Sequence, residues 1–216
     1  MHLLAADRPY GNPSFGLSSD QVATVIDLVC RGAEKARSFL TSGMLEVPIT
    51  VLVRKAMRVI KIELGLSALE VRGEHELENM AMMDSSILGR IDITLKFMHQ
   101  FGIEDAYVAV ECKRLSADKS DLSTRYVKEG MARFASGQYA KGHQWGFMLG
   151  YVLALPIDAI LAAINKRAQR DFGDNAQLQT SNHDYIAMAL RQCRLTQTDG
   201  HTIEIKHIFV DMQTAS

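Results

Sequence analysis

Glu111 and Lys113 stand two residues apart in Val110-Glu111-Cys112-Lys113, and Asp92 lies upstream in Gly89-Arg90-Ile91-Asp92-Ile93. On an extended strand, residues two apart project from the same face. If the segments carrying Asp92 and Glu111 pair as a hairpin, two carboxylates and an ammonium meet on one patch. Neighbouring carboxylates repel, and one is driven toward protonation unless a cation sits between them. Their oxygens suit a hard ion such as Mg²⁺, which takes one or two carboxylates and keeps several waters. A lysine beside such an ion can orient or help deprotonate a bound water, or offset charge developing on a phosphoryl group. The Cys112 carbonyl is a further candidate ligand, with its thiol packed inward. The competing reading is a solvated salt-bridge face on an open sheet.

Strands must carry these groups, and the hydrophobic period supplies them. From about 69 to 115 the period is two. Leu69, Val71, Gly73, His75 and Leu77 alternate with Glu70, Arg72, Glu74, Glu76 and Glu78. In 89–97, Ile91, Ile93, Leu95 and Phe97 oppose Arg90, Asp92, Thr94 and Lys96; in 107–115, Val108, Val110 and Cys112 oppose Tyr107, Ala109, Glu111 and Lys113. Short links between the three predict an antiparallel meander. Before it, a capping box at Ser18 and Gln21 opens a helix whose stripe runs from Val22 to Leu40 and which Gly43 is expected to end. A second helix is expected over about 49–64, closed by Gly65 and carrying Arg54, Arg58 and Lys61 on one face. That basic face reads as solvated, with phosphate contact as the sharper alternative. Afterwards come a helix near 123–135, a strand near 145–154, a helix near 156–172 with Pro156 in its first turn, and strands near 185–196 and 202–212 around Thr198-Asp199-Gly200. The alternation argues for an α/β fold, a central mixed β-sheet flanked by helices. Residues 1–17 read as an irregular arm and 18–216 as a single domain.

The Asp92 and Glu111-x-Lys113 set in this strand context resembles the PD-(D/E)xK, or restriction-endonuclease-like, nuclease superfamily. Ile91 stands where the family name has proline, which removes no ligand. The resemblance covers about 49–155. It implies a restriction-endonuclease-like core and a Mg²⁺-dependent nuclease, with Mn²⁺ able to substitute, acting on DNA rather than RNA. Asp92 and Glu111 would hold the metal and Lys113 would assist the attacking water. Many members add an upstream acid; Glu74, Glu76 and Glu78 share a face, Glu63 ends the preceding helix, and Glu76 is the favoured choice. Restriction or anti-phage defence is implied by family analogy. The alternative is a catalytically silent nucleic-acid-binding or assembly subunit of the same fold.

Between Lys113 and His143, seven basic residues face three acidic ones, with Tyr126, Phe134 and Tyr139 interleaved. Arg114, Arg125, Lys128 and Arg133 are the candidate phosphate contacts. Gly137 to Gln144 is a near miss to a P-loop without its Lys-Ser/Thr pair, which argues against nucleotide hydrolysis. His207 reads as a satisfied sheet histidine; a metal-free chemistry through His183 and His207 is the minority alternative. The 216 residues leave little room for a separate sequence-reading domain, so a homodimer or a target-selecting partner protein is expected. A net charge of −1 excludes indiscriminate coating of nucleic acid. Three distant cysteines with no paired ligand spacing argue against a zinc site or disulfide framework and fit a cytoplasmic protein. No secretory leader and no membrane span are expected.

Overall fold

The computed structural model describes residues 15–78, 87–181 and 187–214. Among them the chain forms α1 (Ser19–Arg37), α2 (Glu46–Glu63), β1 (Leu69–Glu78), β2 (Ile87–Phe97) and β3 (Val108–Leu115). A helical stretch follows as α3 (Ser120–Arg125), a π-helical turn (Tyr126–Met131) and α4 (Ala132–Ala135). Then come β4 (Trp145–Val152), α5 (Ile157–Phe172), β5 (Gln179–Thr180), β6 (Ala189–Thr196) and β7 (Thr202–Asp211). The strands form one mixed sheet in the order β1-β2-β3-β4-β7-β6-β5. β1, β2 and β3 are the antiparallel meander, and β3, β4 and β7 run parallel. This is the expected α/β architecture. Among the described residues no helix is long and apolar enough to cross a membrane.

Each face of the sheet has its own core. Val25, Ile26 and Val29 of α1 and Val53 and Met57 of α2 pack on Ile93, Val110, Phe147, Leu149 and Ile208. Tyr126, Met131, Phe134 and Ile164, from the helices after β3, pack on Ala109, Met148, Ile205 and Phe209. Being covered on both faces explains why β4 reads as an almost unbroken apolar run. The Ser18 capping box forms, with Ser18 Oγ accepting the Gln21 N–H at 3.2 Å and Gln21 Oε1 accepting the Ser18 N–H at 2.9 Å.

Element boundaries depart from the sequence reading: β5 is not expected from it, the helical stretch after β3 starts at Ser120, and β6 starts at Ala189. α1 stops at Arg37, six residues before Gly43, because Ser38 to Met44 turn to start the next helix. α2 starts at Glu46 rather than near 49, since Pro48 is tolerated in a first turn whose N–H groups lack helical partners anyway. Pro156 precedes α5 instead of lying in its first turn. The basic face of α2, with Arg58 exposed and Arg54 and Lys61 half-buried, is tied to the neighbouring strand. β1 is an edge strand, and Arg58 and Lys61 donate to its Val71 and Leu69 carbonyls at 3.0 and 2.5 Å. Arg54 lies against Gly73, where a Cβ would come within 1.6 Å of its guanidinium. α2 thus covers an edge that would otherwise offer unpaired backbone groups.

Candidate active site

β2 and β3 pair at only three positions, Ile93 with Val110, Thr94 with Ala109, and Leu95 with Val108. One step further the register would set Asp92 opposite Glu111, and there the ladder opens into a fork. Asp92 replaces the missing backbone acceptor, its Oδ2 taking the Cys112 N–H at 2.7 Å. Across from it on β1, Glu74 has a left-handed backbone, φ 44°. That residue interrupts the β1/β2 pairing at the level of Asp92, and the register shifts again between Leu77 and Glu78.

Glu111 is fully buried. Its Oε1 accepts from Lys113 Nζ at 2.7 Å and from Arg133 Nη1 at 3.0 Å, while its Oε2, also buried, has no partner. Lys113 is 6% exposed and spends its three donors on Glu111, on Glu46 Oε1 at 3.1 Å and on the Cys112 carbonyl at 3.0 Å. Glu46, the first residue of α2, accepts the Arg114 N–H through Oε2 at 3.0 Å and so ties the start of α2 to the end of β3. A carboxylate at a helix N-terminus is favoured by the helix dipole.

Arg133 arrives from the opposite layer. Gly130, in the π-helical turn, lets the helix sit close to the sheet: a Cβ there would lie 2.5 Å from Met148 Cε and 3.6 Å from Lys113 Cγ. A π-helical turn also shifts the face on which later residues emerge. Arg133 donates to Tyr139 Oη, and Tyr139 donates to the Arg90 carbonyl.

Asp92, Glu111 and Glu46 face Lys113 and Arg133, which leaves one negative charge in a mostly buried cluster. Burial, and then the Asp92 charge, push the Glu111 carboxyl up to about 7. Burial likewise raises Asp92. Burial opposes the charge on Lys113, but Glu111, Glu46 and Asp92 outweigh it and hold its pKa above the ordinary lysine value. Lys113 is therefore a firmly protonated ammonium at neutral pH.

The expected set converges in part. Asp92, Glu111 and Lys113 share the fork, and Arg133 joins them. The Cys112 thiol is buried in the α1/α2 core, while its carbonyl accepts from Lys113. Glu76 does not join. It is exposed and bonds Arg90 at 2.6 Å, because the outer face of β1 points it away from the fork. Glu46 stands instead as the acid beside Lys113. Arg114 packs its side chain inward, donating to the Met44 carbonyl at 3.3 Å. Arg125 is exposed and paired with Glu129 at 3.1 Å, and Lys128 is exposed. His183 lies outside the described residues. Sequence reasoning missed Glu46, whose one signal was an acid two residues before Pro48 at a helix start.

An unpartnered buried carboxylate oxygen and a residual negative charge fit a divalent cation. Asp92 and Glu111 supply hard oxygen donors, the pair Mg²⁺ commonly takes. Among the described residues no three His, Cys, Asp or Glu side chains are grouped closely enough to enclose an ion by themselves. Such an ion would complete its shell with water or substrate oxygens. Comparison of the chain with protein-family models, curated proteins and solved structures finds no match.

Proposed function

We propose that the protein is a metal-dependent nuclease that hydrolyses phosphodiester bonds, in DNA before RNA, on a restriction-endonuclease-like core. The observation that carries this reading is Glu111 Oε2, buried and unpartnered while Oε1 takes both Lys113 and Arg133. An unsatisfied buried acceptor costs about 1–3 kcal/mol, which a cation held at this carboxylate would offset.

Asp92 and Glu111 would hold Mg²⁺ or Mn²⁺. When bound, the ion supplies Lewis-acid polarisation of a phosphoryl oxygen and lowers the pKa of water. Lys113 cannot accept a proton while it is held as an ammonium. With its three N–H groups held by Glu111, Glu46 and the Cys112 carbonyl, it acts through its charge, offsetting charge that develops on the phosphoryl oxygens. Arg133 offsets charge from the other side of Glu111. Glu46 keeps Lys113 aimed into the fork. A homodimer or a partner protein would select the target, in a cytoplasmic role that restriction or anti-phage defence would fit.

One observation favours a second reading, the catalytically silent subunit. Lys113 already neutralises part of the carboxylate cluster and occupies the Cys112 carbonyl. Cleavage of plasmid and single-stranded substrates with Mg²⁺ or EDTA separates the two. The nuclease reading expects Mg²⁺-dependent cuts that Lys113→Ala removes. Identical behaviour of the wild type and Lys113→Ala under both conditions would sink it, and EDTA-indifferent binding without cleavage would favour the silent subunit.

A further inference from the structure

A cavity of about 660 Å³ lies beside the fork rather than in it. A row of planar rings runs along it. Phe15 lies flat on His143, with centroids 4.4 Å apart and planes at 13°. Tyr107 leans on His143 at 5.1 Å and His75 on Tyr107 at 5.7 Å. Tyr107 and His143 are nearly sealed, while Phe15 and His75 are half-buried and line the opening. The stacked Phe15 demonstrates that this row accepts a flat ring.

The walls limit what that ring carries. Glu76, Glu78, Glu104 and Asp105 line the cavity together with Arg72, Lys96 and Lys141. Walls with four acids and three cations do not concentrate phosphate. Carboxylates do accept hydrogen bonds from the exocyclic amino groups of nucleobases.

The cavity is coupled to the fork through one loop, residues 137–143, the near miss to a P-loop. Gly137, Ala140 and Gly142 all have left-handed backbones, with φ of 73°, 51° and 71°. Ala140 gains nothing locally from that conformation, so the surroundings must impose it. Buried Gln197 does so, accepting the Gly142 N–H at 3.0 Å and donating to the Phe134 and Ala140 carbonyls at 3.1 and 3.2 Å. Within the loop, Gln138 lines the cavity and donates to the Leu88 carbonyl, while the next residue, Tyr139, contacts Arg133 of the fork.

We infer that this cavity binds one unpaired nucleobase of the substrate, stacked on Phe15 and His75, next to a phosphodiester held at the fork. The identity of the ligand rests on the nuclease reading. Paired bases are already stacked on one another, so the site selects single-stranded or locally unpaired nucleic acid. Amino-bearing bases are favoured over thymine and uracil.

Binding of fluorescent twelve-nucleotide single strands, DNA and RNA, measured in EDTA tests this without any cleavage. Removing a stacking ring costs about tenfold in affinity. His75→Ala and Phe15→Ala are expected to show that loss, His75→Phe to restore it, and adenine strands to bind more tightly than thymine strands. Glu104→Gln should narrow the adenine preference. Unchanged affinity in both alanine variants overturns the inference, as does an equal loss on fully paired duplex. Lys113→Ala separates the two proposals. If it leaves every substrate's cleavage unaltered while His75→Ala weakens single-strand binding, the nuclease reading fails and the nucleotide cavity stands. If Lys113→Ala removes cleavage while His75→Ala binds normally, only the cavity assignment fails.

Discussion

Two fully buried polar side chains sit in the same sheet, Glu111 on β3 and His207 on β7, and they are treated differently. His207 bonds Tyr126 Oη through Nδ1 at 2.9 Å and Cys193 Sγ through Nε2 at 3.2 Å, with Phe209 parallel at 6.5 Å. Both ring nitrogens are occupied, and burial alone drives its pKa down to about 3, so the ring stays neutral. Glu111 has two cationic partners on one oxygen and none on the other. Depth is equal; satisfaction is not. A fully partnered neutral group specifies packing, whereas an under-partnered charge beside a second acid marks a place built to receive something. His207 is therefore a sheet histidine, and a metal-free chemistry through it has no route to substrate.

The sharpest way to break this comparison is to neutralise each residue. Glu111→Gln keeps the shape and removes the charge. Loss of transition-state electrostatics of this kind costs about 10²–10³-fold in kcat. Its thermal midpoint at pH 8 is expected to hold or rise, since a poorly compensated buried charge is gone. His207→Ala should do the reverse, destabilising by about 3 kcal/mol in urea titrations through the cavity and two orphaned partners. Its kcat, measured well below the midpoint, should hold. If His207→Ala lost activity at full folding, the distinction between the two sites would collapse.

Opposite pKa shifts give opposite pH slopes. Native Glu111 keeps its proton to about 7 against a usual 4.5, so its contribution is present below 4.5 and is lost as the pH rises through 7. Native His207 protonates only near 3 against a usual 6.5, so its contribution is present above 6.5 and is lost as the pH falls toward 3. Between about 4.5 and 6.5 the two slopes oppose each other. Midpoints measured across this window should rise more steeply with pH in Glu111→Gln than in the wild type. At pH 8, Mg²⁺ should recover up to about 3 kcal/mol in the wild type, at 1.36 kcal/mol per pKa unit. It should recover far less at pH 5, where Glu111 is protonated, and little in Glu111→Gln. Equal Mg²⁺ stabilisation in that variant would place the ion elsewhere.

The sheet was legible because its signals are local. The alternation around Asp92 specifies a strand, although Ile91 packs in the core on the other side of the sheet from Ile93 and Leu95 because the strand pairing breaks at Asp92. Two-residue spacing puts Glu111 and Lys113 on one face. The upstream acid was not legible. Glu74, Glu76 and Glu78 are near Asp92 along the hairpin, but strand direction turns Glu76 outward to Arg90, while Glu46 arrives through the packing of α2. No sequence period reports which helix end docks beside a strand 67 residues later. The same holds for Gln197, an ordinary turn-proximal residue in the sequence whose role emerges only when β6 and β7 bring it under the 137–143 loop. Arg125 and Arg133 looked equivalent in a basic stretch. The chain separates them by eight residues and places one on the surface and the other against Glu111.

That last pair supplies the finest test. Arg125 is exposed and its bond to Glu129 is an i,i+4 surface pair, a kind worth about 0.3–0.5 kcal/mol. Arg125→Ala should leave the urea midpoint within that range and leave kcat intact. If Arg125 contacts a phosphate, it should weaken nucleic-acid binding uniformly across sequences and lower the log–log salt slope by about one. Arg133→Ala should instead cut kcat, because its guanidinium belongs to the Glu111 cluster and offsets charge at the fork. A salt slope that drops for Arg133→Ala and stays fixed for Arg125→Ala would mean that phosphate is gripped at the fork itself, and that the outer basic residues are only a solvated helix face.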